Sequence, residues 1–181
     1  MQYRYLGNSG LRVSVLGFGN WLNSNTEADY TLTRDAIKKC FDAGVNFYDT
    51  AEVYGNGNAE LLMGKAFKEL NLPREELVVS TKMFKLNGDR NVNGTFLSRK
   101  HLIEGIQNSL KRLQLDYVDV IFCHRPDNET PLEETLRALN WIIEEGLAFY
   151  WGTSEWPADR IARAIEICER ENLHKPVVEQ P

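Results

Sequence analysis

Nothing in this chain of 181 residues runs apolar for long. No stretch approaches the ~18 apolar residues of a membrane span, and Met1-Gln2-Tyr3-Arg4-Tyr5 lacks the basic-then-apolar pattern of a secretion signal. Cysteine is scarce. Cys40, Cys123 and Cys168 are odd in number, widely spaced and free of any C-x-x-C pair. That excludes a disulfide framework, argues against a metal centre, and suits reduced thiols in a cytoplasmic protein. Basic charge is lacking too: 21 Lys and Arg stand interspersed among 26 Asp and Glu, for a net charge of −5, so no basic stripe offers itself to nucleic acid. No internal repeat, low-complexity linker or break in composition marks a domain boundary, and residues 1–181 read as one domain. The Asn-x-Thr triplets at Asn93 and Asn128 are chance matches in such a chain.

What the chain does have is a repeated pattern of apolar strand, polar loop and amphipathic helix. Tyr3 to Leu6 and Leu11 to Ser14 flank the turn residues Gly7-Asn8-Ser9-Gly10 and predict a hairpin. Val15 to Gly19 follows as a short strand, then a polar loop from Asn20 to Asp29 and a helix around Thr33 to Ala43, stopped by Gly44. Further helices are expected over Asn58 to Leu70, Ser98 to Leu113, Leu132 to Glu145 and Ala158 to Glu171, alternating with strands near Val45, Leu77, Val118, Ala148 and Val177. Ser98 is a plausible N-cap, and Ile103, Ile106, Leu110 and Leu113 form an apolar stripe.

Such alternation implies an α/β protein with a parallel sheet and right-handed crossovers. The count is about six strands and five helices, where a closed (β/α)8 TIM barrel takes eight of each. A doubly wound sheet lacks support: Gly55-Asn56-Gly57-Asn58-Ala59-Glu60 carries Glu where the dinucleotide fingerprint needs its third glycine, and it lies in the wrong part of its unit.

Polar residues recur at the carboxyl ends of the predicted strands. Phe47 and Asp49, Ser80 and Lys82, Phe122 and His124, Gly152 and Ser154, and Val178 and Gln180 are same-parity pairs, so each pair shares a face of its strand. In a parallel barrel these ends and the following loops build the functional face. Tyr54 lies in the loop after Asp49. A phenol, with pKa ~10, is a poor proton donor near neutrality unless a cation stands beside it, and Lys82 is the candidate cation. His101, in the first turn of a helix, and His174, in a loop, do not join this set. Cys123 and His124 are strand neighbours pointing to opposite faces and cannot make a thiol–imidazole dyad.

Several stretches are specific: Asp49-Thr50-Ala51-Glu52-Val53-Tyr54, Leu97-Ser98-Arg99-Lys100-His101, Ser109 to Val120, Arg125-Pro126-Asp127 and Tyr150-Trp151-Gly152-Thr153-Ser154. Together they resemble the aldo-keto reductase superfamily, above all the branch of the voltage-gated potassium channel beta subunits and related reductases. The resemblance implies a (β/α)8 TIM barrel, truncated here after about six strands and preceded by an N-terminal β-hairpin. It implies NADPH as cofactor and a small-molecule aldehyde or ketone as substrate. Tyr54 would protonate the carbonyl oxygen as hydride arrives. Lys82 would lower the phenol's pKa by ~2 units, worth ~2.7 kcal/mol. Asp49 would hold Lys82 charged and His124 would orient the carbonyl.

Ser154 and Gln180 match positions that bind the nicotinamide carboxamide, Asp49 and Glu155 lie beside the cofactor, and Trp21 lines the pocket. His124 stands where animal channel beta subunits carry Asn, which favours catalysis. Glu155 replaces the common Asn or Arg, an acid facing an anionic dinucleotide. The segment that grips the cofactor's phosphates in the family lies outside these residues, so weak NADPH binding and self-association through open sheet edges, a homo-oligomer, are expected of the chain alone. The branch also implies a potassium channel alpha subunit as partner, with the barrel as a cofactor-sensing module; that regulatory subunit and an inactive truncated product are the alternatives to a free-standing reductase.

Overall fold

The computed structural model describes residues 1–22, 27–85 and 92–181, with the side chains of 27 and 28 left aside. A hairpin of β1 (Tyr3–Tyr5) and β2 (Arg12–Ser14) precedes a parallel sheet of β3 (Gly17–Gly19), β4 (Phe47–Asp49), β5 (Val78–Met83), β6 (Val118–Cys123), β7 (Ala148–Ser154) and β8 (Val178–Gln180). The helices α1 (Glu27–Asp42), α2 (Asn58–Glu69), α3 (Arg99–Leu113), α4 (Leu132–Glu144) and α5 (Ala158–Glu171) alternate with these strands. Strand order is β3-β4-β5-β6-β7-β8 without reversal. A doubly wound sheet would reverse at a switch point; a singly wound one curls toward a barrel, as the alternation of elements predicted.

Successive helices pack against one another on one face of the sheet. Between sheet and helices lies the main core, including Tyr48, Met63, Val79, Ile121, Trp151, Leu139 and Ile167. The concave face carries a second cluster in which Leu6, Val120 and Phe122 are buried against Leu11, Val13, Tyr150 and Val178. β5 and β6 are buried at every residue. That explains their continuous apolar runs in place of alternation.

The hairpin seals the amino-terminal end of the sheet. Ser14 and Arg12 are tied to Asn46, just ahead of β4, by the Ser14 amide donating to Asn46 Oδ1 at 2.7 Å and Asn46 Nδ2 donating to the Arg12 carbonyl at 3.0 Å. Its turn approaches the strand at the far side of the sheet. A Cβ on Gly7, which has φ +55°, would lie 1.9 Å from the Val177 carbonyl oxygen, so only glycine fits there.

Most boundaries fall within a residue or two of expectation. The exception is α1, which begins at Glu27 and not at Thr33, inside the stretch expected to be loop. Tyr30, Thr33 and Ile37 are all buried at helical spacing, so the buried stripe begins with a tyrosine that polar neighbours disguise. The third strand is also shorter, Gly17–Gly19, leaving Val15 and Leu16 exposed, and His124 lies one residue beyond β6.

Candidate active site

Register brings the strand-end residues into layers. Asp49 pairs with Ser80, Lys82 with Phe122, Phe122 with Gly152, Gly152 with Val178, and Ser154 with Gln180. The His124 amide donates to the Met83 carbonyl at 3.0 Å and extends the β5–β6 ladder one step beyond the strand. The concave-face residues at these carboxyl ends therefore meet at one rim.

Lys82 is 1% exposed. Its ammonium pairs with Asp49 Oδ2, donates to the Thr50 carbonyl at 2.9 Å, and reaches Tyr54 Oη at 3.5 Å. Asp49 is held in turn by Ser80 Oγ, which donates to Oδ1 at 2.6 Å. The loop after β4 curls into a short 3-10 turn, Tyr54–Gly57, with Gly55 and Asn56 at φ +55° and +54°. The phenol that opens this turn lies over the end of β5, beside Lys82. The Tyr54 ring meets His124 edge-on, centroids 5.6 Å apart, and lies 6.3 Å from the ring of the exposed Trp21. Asp49, Tyr54, Lys82, His124 and Trp21 thus gather around one mouth.

Electrostatics depart from expectation at the phenol. Burial, then the Asp49 carboxylate, push the Tyr54 pKa up, with Arg125 opposing. Lys82 is itself pushed down by burial, against the pull of Asp49, and its closest partners are Asp49 and Thr50. The phenol therefore stays protonated through neutrality, loaded as a donor, and the ammonium stands to favour the phenolate as the proton leaves. Burial, Lys82 and Arg125 together lower His124 to about 4. Its imidazole is neutral at pH 7 and presents one N–H donor.

Ser154 and Gln180 sit side by side at the ends of β7 and β8. Glu155, at φ +53°, donates its amide to the Gln180 carbonyl at 3.1 Å. Its carboxylate lies 3.1 Å from Arg125 Nη2. Arg125 also donates to the His124 carbonyl at 2.6 Å and to Ser154 Oγ at 3.3 Å. In the sequence this arginine is legible only as part of the Arg125-Pro126-Asp127 motif, and it offsets the acid expected to repel a dinucleotide. A carboxamide needs one donor and one acceptor, and both the Ser154 hydroxyl and the Gln180 amide supply the two. These residues fit the nicotinamide end of a dinucleotide; among the described residues beside them, the cation available to its phosphates is Arg125, already paired with Glu155. Among the described residues no group of three or more His, Cys, Asp or Glu could hold a metal ion. His174 is remote, its carbonyl accepting from Trp151 Nε1 at 2.8 Å, and the buried Cys123 thiol is pushed up by desolvation.

A singly wound parallel sheet with an Asp, Tyr, Lys and His constellation at its carboxyl ends defines a protein of the (β/α) barrel class with a polar site at the usual mouth. Residues 15–181 match the sequence profile of the Aldo/keto reductase family, and the chain belongs to that family. It is 53% identical over 181 residues to a probable voltage-gated potassium channel subunit beta of rice (Oryza sativa subsp. japonica), covering all of this chain and 55% of the relative. A protein of the same description from Arabidopsis thaliana is 52% identical, with 100% and 55% covered, and a putative subunit beta from Schizosaccharomyces pombe is 51% identical, with 99% and 52% covered. The chain therefore spans about half the length of these relatives. A crystal structure of a thermostable aldo-keto reductase with the inhibitor epalrestat superposes at TM-score 0.84 and 32% identity, covering 99% of this chain and 61% of that one. No helix among the described residues is long and apolar enough to cross a membrane.

Proposed function

We propose that the whole protein is a cytoplasmic NADPH-dependent oxidoreductase that reduces a small aldehyde or ketone to the alcohol, and that these residues carry its proton-transfer side. The observation that carries the reading is the chain of contacts from Asp49 through the buried Lys82 ammonium to the Tyr54 hydroxyl, opening toward His124. When bound, the nicotinamide supplies the hydride. Ser154 and Gln180 hold its carboxamide, Glu155 and Asp49 flank it, and Trp21 walls the substrate side. The neutral imidazole of His124 donates to the carbonyl oxygen and fixes its direction. Tyr54 then gives its proton to that oxygen while Lys82 stabilises the phenolate left behind.

Tyr54→Phe tests this in the whole protein. Removal of the proton donor is expected to lower kcat for a reactive aromatic aldehyde by ~10²–10⁴-fold and to leave NADPH affinity nearly unchanged. Retention of most of the kcat refutes the role of Tyr54.

The names of the plant and yeast relatives favour a second reading, in which the family barrel serves as a cofactor-sensing subunit on a potassium channel alpha subunit. Co-purification of the whole protein with channel-bearing membranes, against its recovery in the free soluble fraction, separates a docked subunit from a free enzyme.

A further inference from the structure

Two titratable side chains outside the constellation of Asp49, Tyr54, Lys82 and His124 are both buried. His101, in the first turn of α3, is 5% exposed, and Glu52, inside the Asp49 to Tyr54 motif, is 1% exposed. They meet. His101 Nε2 lies 2.8 Å from Glu52 Oε1, and the same oxygen accepts the Phe84 amide at 2.8 Å. The Glu52 amide in turn donates to the Lys82 carbonyl at 3.2 Å. One residue is thereby bonded to the strand end that bears Lys82, to the amide two residues past that lysine, and to α3 behind the sheet.

The second oxygen is confined as well. A Cβ on Gly105 would lie 3.4 Å from Glu52 Oε2 and 2.8 Å from Met83 Sδ, so α3 presses closely on the clamp. Beyond it a cavity of about 40 Å³, lined by His101, Gly105, Asn108 and Arg112 among others, has room for water. A carboxyl group buried this deeply is costly unless it finds polar partners, and the Phe84 amide and the His101 ring both meet it at Oε1.

We propose that Glu52 is a positioning residue for the proton donor: with His101 it clamps the turn that carries Tyr54 to the end of the strand that carries Lys82. The inference rests on the carbonyl-reduction reading for its kinetic arm only. The 3.5 Å between Lys82 Nζ and Tyr54 Oη is already the outer limit of a hydrogen bond. Tyr54 is two residues from Glu52, and its amide donates to the Ala51 carbonyl at 3.1 Å, so any slack in the clamp is passed to the phenol. Burial is also what keeps the phenol's pKa high, and a loosened turn admits water to it.

Three variants test the clamp. Glu52→Ala removes it. Glu52→Gln keeps an acceptor oxygen for the Phe84 amide and a partner for His101. Gly105→Ala pushes a methyl group against it and serves if Glu52→Ala does not fold, as judged by circular dichroism. Ultraviolet difference titration, with the Tyr54 signal isolated by subtraction of Tyr54→Phe, reads the phenol without substrate or cofactor. In Glu52→Ala the Tyr54 pKa is expected to fall toward the ordinary ~10. In steady-state reduction kcat is expected to fall ~10–100-fold with the KM for NADPH unchanged, because a displacement of about 1 Å suffices for such a loss. Glu52→Gln is expected to restore both. An unchanged Tyr54 titration in folded Glu52→Ala, or in Gly105→Ala where the first does not fold, overturns the proposal. So does a Gln variant as impaired as the Ala variant. If carbonyl reduction is insensitive to Tyr54→Phe, the functional reading fails while the titration still decides the clamp.

Discussion

One imidazole should make a separable contribution to the acid sensitivity of this protein. His124 is lowered from 6.5 to about 4 by burial and by the cations Lys82 and Arg125. A histidine with a depressed folded pKa binds fewer protons folded than unfolded. Its contribution is complete above the unfolded value and is lost as pH falls through 6.5 toward 4. Between pH 7 and pH 5 the two values give a loss of about 1.8 kcal/mol by linkage, and because His124 keeps part of its ring in water, about 1 kcal/mol is the figure to expect. The assay is urea unfolding at both pH values and one protein concentration, for the native chain and for His124→Asn. Subtracting the two removes every other titrating group, among them Glu60 and Asp119, whose pKa values burial raises. The native chain should lose about 1 kcal/mol more than the variant on acidification, roughly 0.5 M in urea midpoint for an m-value of about 2 kcal/mol/M. Nuclear magnetic resonance of the His124 ring should show a titration completed well below pH 6. Identical acid sensitivity in the two proteins, or a His124 midpoint near 6.5, refutes the electrostatic picture of the site.

Two other perturbations probe the scaffold behind the sheet. Glu60, fully buried, accepts from Thr81 Oγ1 at 2.5 Å and from Arg112 Nε at 2.6 Å, so Arg112→Met strands a buried carboxylate and should cost ~3–5 kcal/mol in urea unfolding at pH 7, partly recovered in Arg112→Met/Glu60→Gln. At Gly64, where α2 crosses α3, a Cβ would stand 2.2 Å from the Leu113 carbonyl oxygen; Gly64→Ala should lower stability by ~1–3 kcal/mol despite its better helix propensity, and an unchanged midpoint would mean that the helices part freely.

The side-by-side placement of the strand-end residues is legible in the amino-acid order because it depends on a local rule. Alternation puts Asp49, Lys82, Ser154 and Gln180 on one face once the strands are found, and the apolar runs find them. Partnerships across the fold are not legible in this way. Glu52 with His101, Glu60 with Arg112 and Arg125 with Glu155 join residues 49, 52 and 30 positions apart, and no local period connects them. The direction of the Tyr54 pKa shift escapes the sequence for a related reason: a neighbouring cation can be guessed from a motif, but desolvation is a property of everything packed around the group. The start of α1 is hidden because Tyr30 and Thr33 read as polar until their burial is known.

The stopper formed by β1 and β2 bears on traffic. With Leu6, Leu11 and Val13 packed against Val120 and Phe122, the hairpin plugs the amino-terminal end of the curled sheet and leaves the polar rim at the opposite end as the exposed one. A small molecule approaching along the strands meets Trp21 and Tyr54 at the carboxyl-end rim, and the apolar plug of the hairpin is the floor beneath it.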